Sequence, residues 1–369
     1  MYKIKDKKVA VIGLSKRTGV ATAKSLVDHG AEVVVSDIKP SNQLLEEQEL
    51  LNGYEVDYDL NGHSDKVTSC DLIVVSPGVP LDIPVFNIIR QKKIPVISEI
   101  ELAYSFNKAK IIAITVTNGK TTTTSLTSKI LQGAEIGKVR VAGNIGTPFI
   151  RVVDELGRDD WVVLEVSSFQ LETIKYFKPY ISMFLNFSPD HLDRHKSEEE
   201  YWKAKKKIFL NQENNDIAII NNDDQRVLEA AQDCEANKYC VSLEEGVKNG
   251  IFMKQDSLVT KRAGLEEKVI DLDNIPMLGP HNIQNAAFAV MASRLIGIDK
   301  KTIRREISKF TPGKHRLEVV GKAKDGILIV DDSKATNPDS AVKALKSINR
   351  PITLIAGGQD RKADFSIFG

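Results

Sequence analysis

The sequence predicts an α/β protein built on parallel sheets, and three observations predict it. Apolar runs of strand length alternate with segments of helical length; two of these runs pass directly into glycine-bearing loops that open helices; and a fresh strand pattern starts after Pro312-Gly313. Strand, helix and strand in that rhythm make βαβ units, in which each crossover helix returns the chain for another parallel strand.

The first unit is expected over residues 1–107. It begins with the run KKVAVIG, a helical TGVATAKSLVDHG, a second strand AEVVVSD and a third, DLIVVSPG. A second unit, 108–311, opens on KIIAITVTNGKTTTTSLTSKIL and continues through strands in DDWVVLEVSS, PYISMFLNFS and NDIAIINNDD. The segment TPGKHRLEVV reads as a linker into a third unit, 312–369, holding GILIVDDS, a helical ATNPDSAVKALKSI and a strand PITLIAGG. Two parallel strands and one helix bury little core, so this last unit is expected to be a partial one.

Composition narrows the function classes. With 42% hydrophobic and 27% charged residues the 369-residue chain has ordinary globular composition. Its 51 basic and 50 acidic residues give a net charge of +1, so no overall field attracts nucleic acid or an anionic membrane, and any anionic ligand needs a local site. Three cysteines without zinc-ligand or C-x-x-C spacing fit reduced thiols. No apolar stretch approaches the ~20 residues that span a bilayer, and the N-terminal run is too short for a signal peptide. The expectation is a cytoplasmic monomer with neither a nucleic-acid nor a membrane partner.

The strongest chemical signal is Thr117-Asn118-Gly119-Lys120-Thr121-Thr122, set between a β-branched strand and a helix start. Backbone N–H groups at a helix N-terminus face an anion, Lys120 adds a point charge, and the Thr121 hydroxyl can reach Mg²⁺. The general motif also asks for glycine at 114, where this chain has Ile114; a polar turn ahead of a Thr-rich helix is the plainer alternative. Glu165 ends the run 161–166, where open α/β sheets place ligands, and suits a Mg²⁺ ligand or a mere strand-end charge. The segment NFSPDHLDRHKS concentrates Asp190, His191, Asp193, Arg194 and His195, a density that serves metal and phosphate or simply a solvated loop. The run KAKKK at 203–207 reads first as a solvated helix face. Near the N-terminus the loop 13–19, with Asp37 ending the next strand and Ser76-Pro77-Gly78 after the third, looks like a nucleotide-binding edge; it lacks G-x-G-x-x-G spacing, which argues against a dinucleotide.

In order, these segments resemble the Mur ligases: T-N-G-K-T, a strand glutamate, an N-x-x-x-D-H-L-D loop and a later H-R pair. LEVSSFQLE (164–172), GNIGTPF (143–149) and VDDSKATNPDS (330–340) are similar to the branch that adds D-glutamate. The resemblance implies a Rossmann-like N-terminal domain for a UDP sugar, a central P-loop ATPase domain and a C-terminal Rossmann-like α/β domain for the amino acid. It implies an ATP-dependent ligase of peptidoglycan synthesis, with ATP and two Mg²⁺ ions, acting on UDP-N-acetylmuramoyl-L-alanine and D-glutamate. Site roles carried over from it give Lys120, His191 and Lys205 as catalytic. ATP would meet Thr117, Asn118, Gly119, Lys120, Thr121, Thr122, Asn282, Arg316 and Asp332. Metal would meet Thr121, Glu165, His191 and Lys205. Substrate would meet Leu14, Thr18, Asp37, Ser76, Pro77, Gly78, Asn144, Lys334, Thr336, Asp360 and Arg361.

The resemblance places Lys205 where the family carries a carbamylated lysine. An ammonium 4 Å from a dication is repelled by roughly 8 kcal/mol at an effective dielectric of 20, whereas a carbamate attracts the ion. Two departures bear on activity. Val116 stands where the family has a glycine, and a β-branched residue resists positive φ if the loop needs one there. The stop at Gly369 omits the later segment that would receive D-glutamate, so the alternative expectation is a weakly active or inactive fragment that binds nucleotide sugar and ATP. A simple ATPase or kinase, and a dinucleotide oxidoreductase, are the other rivals.

Overall fold

The computed structural model describes residues 2–192, 194–277, 279–311, 313–335, 338–348, 350–358 and 366. The chain divides into two compact units, one of residues 1–111 with 140–179, the other of 112–139 with 180–369. The first opens with β1 (Lys8–Ile12), α1 (Thr18–Asp28), β2 (Glu32–Asp37), α2 (Leu45–Leu50), β3 (Val56–Leu60), α3 (Asp65–Thr68), β4 (Leu72–Val75), α4 (Pro84–Gln91), β5 (Val96–Ser98) and α5 (Glu99–Phe106). Next come β6 (Lys110–Thr115), α6 (Lys120–Gly133), β7 (Val139–Gly143), β8 (Trp161–Glu165), α7 (Ser168–Leu171), β9 (Ile181–Phe184), α8 (Glu198–Lys206), β10 (Ile217–Asn221) and α9 (Gln225–Ala230). The chain continues through β11 (Asn237–Ser242), β12 (Gly250–Lys254), β13 (Ser257–Arg262), β14 (Leu265–Asp271), α10 (Pro280–Leu295), α11 (Lys300–Ser308), β15 (Glu318–Lys322), β16 (Leu328–Asp331) and α12 (Pro338–Lys346).

The first unit's sheet runs β3-β2-β1-β4-β5 with every pair parallel. Strands β1, β2 and β4 read as near-continuous apolar runs rich in Val and Ile, as strands buried on both faces do, and Ala10, Ile12, Val34, Ile73, Val75, Phe86 and Ile89 form one buried cluster. The order reverses between β1 and β4, so their carboxyl ends diverge and leave a crevice, the place where such sheets take ligands.

In the second unit β6, β9, β10, β11 and β12 pair in parallel succession, and the antiparallel strands β13 and β14 close the row. Helix α10 is buried along nearly its whole length, Ala286 through Ala292 being fully covered, and it packs on α6 and on β10 to β12. That explains its apolar, alanine-rich sequence: small side chains let it sit close to α6 while still filling the layer.

The C-terminal segment departs from expectation. The strand 328–331 forms, but its partner is β15, antiparallel, and residues 351–358 join no ladder among the described residues. The turn explains the preference. Asp325-Gly326 sits between the runs, Gly326 takes φ +82°, and Gly326 N–H donates to Ala323 O at 3.0 Å. An Asp-Gly hairpin forms from neighbouring residues, whereas a parallel pair needs a completed crossover. No described helix is long and apolar enough to cross a membrane. All three cysteines are free thiols; burial pushes the Cys70 thiol up to about 11.

Candidate functional site

Two constellations of sequence-predicted residues form, each within its own unit. In the first unit, the ends of β1, β2 and β4 converge on Gly13. Its φ is +93°, and a Cβ there would lie 2.6 Å from Val79 Cγ2, so only glycine fits. Ser76 Oγ donates to Gly13 O at 2.6 Å, and Gly13 N–H donates to Ser36 O at 2.9 Å. Asp37 accepts from Leu14 N–H at 2.8 Å and Lys39 N–H at 2.9 Å, so its carboxylate shapes the loop itself. Ser15 Oγ receives the N–H groups of Thr18 and Gly19 at 3.2 and 3.1 Å, fixing the start of α1. Pro77 and Gly78 follow directly in the turn after Ser76.

The same unit carries Asn144 and Glu165. Asn144 Nδ2 donates to Glu165 Oε1 at 2.9 Å and Asn144 N–H donates to Glu165 O at 2.7 Å. Gly143, at φ +97°, permits this approach, since a Cβ would sit 2.4 Å from Glu165 O. Glu165 is buried, and its orientation is thus fixed by the residue that the resemblance assigns to substrate. Arg17 donates to Gly143 O, tying the loop 13–19 to the loop that presents Asn144.

In the second unit, residues 116–119 link β6 to α6. Gly119 takes φ +104°, ψ 0° as the residue before the helix. Asn186, at the end of β9, clamps the loop from one side: its Oδ1 accepts from Asn118 N–H at 3.0 Å and its Nδ2 donates to Asn118 O at 2.8 Å. Thr117 Oγ1 donates to Ser188 O and accepts from Ser188 N–H, both at 3.1 Å. Lys120 Nζ folds back to donate to Val116 O at 2.6 Å and Thr117 O at 3.0 Å. Val116 is fully buried and is not among the residues with positive φ, so the strain expected at this position does not arise. The left-handed turn falls one step before the lysine, where the chain has glycine.

In the sequence the 203–207 lysines read as a solvated face, and the structure divides them. Lys203 is exposed, but Lys205 is 1% exposed and donates to Val116 O at 2.9 Å. Two lysines 85 positions apart therefore share one carbonyl. The neighbouring loop holds His191 at φ +53°, its N–H donating to Asp190 Oδ1 at 2.8 Å. His195 is buried against the Tyr201 ring, and burial, with Arg194 adding to it, drives its pKa down to about 4.

A cavity of about 570 Å³ opens on this loop. Asn118, Gly119 and Thr122 form one wall; Asn282, Arg316, Asp332 and Lys334 line it as well. Arg316 Nη2 donates to the Thr121 hydroxyl at 3.1 Å, and Asp332 Oδ1 accepts from Leu317 N–H at 2.9 Å. Burial raises the Asp332 carboxyl above the usual range. Asn282 bonds Asn285, which in turn accepts from Thr123 in α6, at 3.1 and 3.2 Å. The volume suits a nucleotide, and the donors at its loop end suit phosphate. Asp193, Thr336, Asp360 and Arg361 lie outside the described residues. Asn186, Asn285 and Tyr201 shape the site without having been singled out from the sequence; only Asn186 had a signal, as the first residue of the N-x-x-x-D-H-L-D pattern.

The Mur ligase middle domain matches residues 114–293 and the MurD N-terminal domain matches residues 8–84. The UDP-N-acetylmuramoylalanine–D-glutamate ligase of Alkaliphilus metalliredigens is 41% identical over 369 residues, spanning 99% of this chain and 80% of the relative. That of Alkaliphilus oremlandii is 42% identical over 368 residues, with coverage of 99% and 80%. Among solved structures, a pseudomurein peptide ligase type C from Methanothermus fervidus superposes with a TM-score of 0.55 at 21% identity, covering 94% of this chain and 78% of its own, a likeness of fold. Identity above 40% across nearly the whole chain places this protein in the Mur ligase family, with the UDP-N-acetylmuramoylalanine–D-glutamate ligases.

Proposed function

We propose that this ATP-dependent amide-bond-forming ligase of peptidoglycan synthesis joins D-glutamate to UDP-N-acetylmuramoyl-L-alanine. The observation that carries the reading is the loop 116–120, whose Asn118 and Gly119 line a nucleotide-sized cavity and whose Val116 carbonyl takes both Lys120 and Lys205, in a chain 41% identical to a ligase named for that reaction. The L-alanine carboxylate attacks the γ-phosphorus of ATP; a carboxyl-oxygen–phosphorus bond forms as the bond to the ADP oxygen breaks. The D-glutamate amine then attacks the resulting acyl phosphate, loses a proton, and expels inorganic phosphate to leave the amide.

Little covalent chemistry falls to the protein in the first step, so its work is positioning and charge neutralisation. Lys120 would swing from the Val116 and Thr117 carbonyls to the β- and γ-phosphates, and backbone N–H groups at the start of α6 would cradle them. Asn282, Arg316 and Asp332 would hold the rest of the nucleotide, and Arg316 would orient Thr121. Leu14, Thr18, Asp37 and Ser76-Pro77-Gly78 would meet the uridine end, Asn144 the muramoyl portion, and Lys334, with Thr336, Asp360 and Arg361, the C-terminal end of the site.

Mg²⁺ would supply neutralisation of the phosphate charge. In the second unit Thr121 and His191 are donors of the kind such an ion takes, and Lys205 only as a carbamate, since its ammonium would repel a dication; Glu165, in the first unit, is by itself a hard carboxylate donor of the same kind. We read the chain as three domains, 1–107, 108–311 and 312–369, working as a cytoplasmic monomer. Support for an active enzyme over a mere binding fragment comes from Val116, whose backbone carries no strain. The test is phosphate release with ATP, Mg²⁺ and UDP-N-acetylmuramoyl-L-alanine. D-glutamate alone among D-glutamate, L-glutamate and lysine should trigger it; release without any amino acid would indicate a simple ATPase.

A further inference from the structure

Loop 13–19, at the carboxyl end of β1, carries two cations, and the fold treats them differently. Lys16 pairs with Glu46 on α2. Arg17 Nη2 donates to the Gly143 carbonyl, and among the described residues Arg17 forms no ion pair. A carbonyl occupies one of the five guanidinium N–H groups and leaves the charge uncompensated. The acid that feels this charge, Glu99, is 1% exposed, and its Oε1 is taken by Ile150 N–H. Neighbouring donors are already engaged. The first three N–H groups of α1, from Thr18, Gly19 and Val20, go to Ser15 Oγ at 3.2 and 3.1 Å and to Ser15 O at 3.0 Å. Beyond the Arg17 bond, Asn144 gives its N–H to Glu165 O and its Nδ2 to Glu165 Oε1. An anion reaching both loops would therefore meet the guanidinium as its main remaining donor.

We propose that Arg17 is a substrate-binding residue that takes the diphosphate of the UDP sugar, a contact that deepens the function read above and rests on it. The order of groups in the substrate locates the contact. Leu14, Thr18 and Asp37 are read as meeting the uridine end and Asn144 the muramoyl portion, and what joins uridine to the sugar is the diphosphate. Arg17 belongs to the first loop and bonds the residue next to Asn144, so it stands at that join. A planar guanidinium has donors for two phosphate oxygens while one N–H stays on Gly143 O. With a net charge of only +1, the chain gives such an anion no general attraction, and the unpaired charge of Arg17 supplies it locally.

The experiment is a calorimetric titration with UDP, together with steady-state kinetics, on wild type, Arg17→Gln and Arg17→Lys. Glutamine can still donate to Gly143 O but carries no charge, so it separates a phosphate contact from a mere tie between loops. In Arg17→Gln the dissociation constant for UDP and KM for UDP-N-acetylmuramoyl-L-alanine should each rise about 10- to 100-fold. Its kcat and KM for ATP should stay within about 2-fold of wild type. Arg17→Lys keeps the charge and loses the planar fork, and should fall between the two. Wild-type UDP affinity and KM in Arg17→Gln would overturn the proposal, as would an equal rise in KM for ATP, the mark of a general distortion. Failure of the functional reading looks different. A wild type that binds UDP yet releases no phosphate in response to D-glutamate sinks that reading, and the UDP titrations still judge Arg17; a wild type that does neither overturns both.

Discussion

Glu99 offers a test of the fold in which the magnitude follows from the geometry. It opens α5, is 1% exposed, and its Oε1 accepts from Ile150 N–H at 2.7 Å. Burial pushes the carboxyl up to about 7 from an ordinary 4.5; the Ile150 N–H and the Arg17 guanidinium oppose that rise without cancelling it. Below pH 4.5 the group is protonated in folded and unfolded chains alike and costs nothing. As pH rises toward 7 the unfolded chain loses the proton first, so stability falls, and above about 7 the loss is complete and constant. A shift of this size corresponds to about 3 kcal/mol, with no solvent screening to discount at a fully covered site. Glu99→Gln keeps the Oε1 acceptor and removes the titration. Calorimetric melts of both proteins at pH 5 and pH 8 should show the variant gaining on the wild type by about that amount, a displacement of several degrees. An equal offset between the two proteins at both pH values would mean that Glu99 titrates normally and that the burial argument is wrong.

Three further outcomes follow from the second unit. Gly119→Ala puts a Cβ 2.4 Å from Asn285 Oδ1 at φ +104°, and Asn285 is held by Thr123 and Asn282. A loss of about 2 kcal/mol or more in urea melts, with KM for ATP raised, is expected. Lys120→Ala should cut phosphate release by about 10²–10³-fold while the melting temperature stays near wild type; undiminished release would remove Lys120 from the chemistry. Asn186→Ala deletes both bonds to the Asn118 backbone, so ATP affinity measured by calorimetry should fall about 10-fold with stability down by about 1–3 kcal/mol.

Much of this was legible in the sequence because local rules and tertiary demands agreed. The run from Ile111 to Lys120 combines a fully buried strand, a glycine where φ must be positive and a lysine at the helix start, all within ten residues. Asp37 and Ser76 could be read at strand ends, where an open α/β sheet gathers its ligands. Lys205 could not be read from its own segment, since a lysine among lysines gives no sign of which one turns inward. Its burial depends on the Val116 carbonyl, 89 positions away. Asn285 was equally silent: it works through Thr123, 162 positions distant, and its helix reads simply as alanine-rich packing. The antiparallel pairing of β15 with β16 does not follow from the strand patterns alone; it comes from the Asp325-Gly326 turn between them.

The valine at 116 shows that a departure from a motif need not strain the backbone. Its side chain is fully buried, and what the two lysines use is its carbonyl, which any residue supplies. That carbonyl accepts from Lys120 at 2.6 Å and from Lys205 at 2.9 Å, so side chains from α6 and α8 close on one backbone oxygen. The identity of residue 116 therefore matters less than the fixed direction of its C=O.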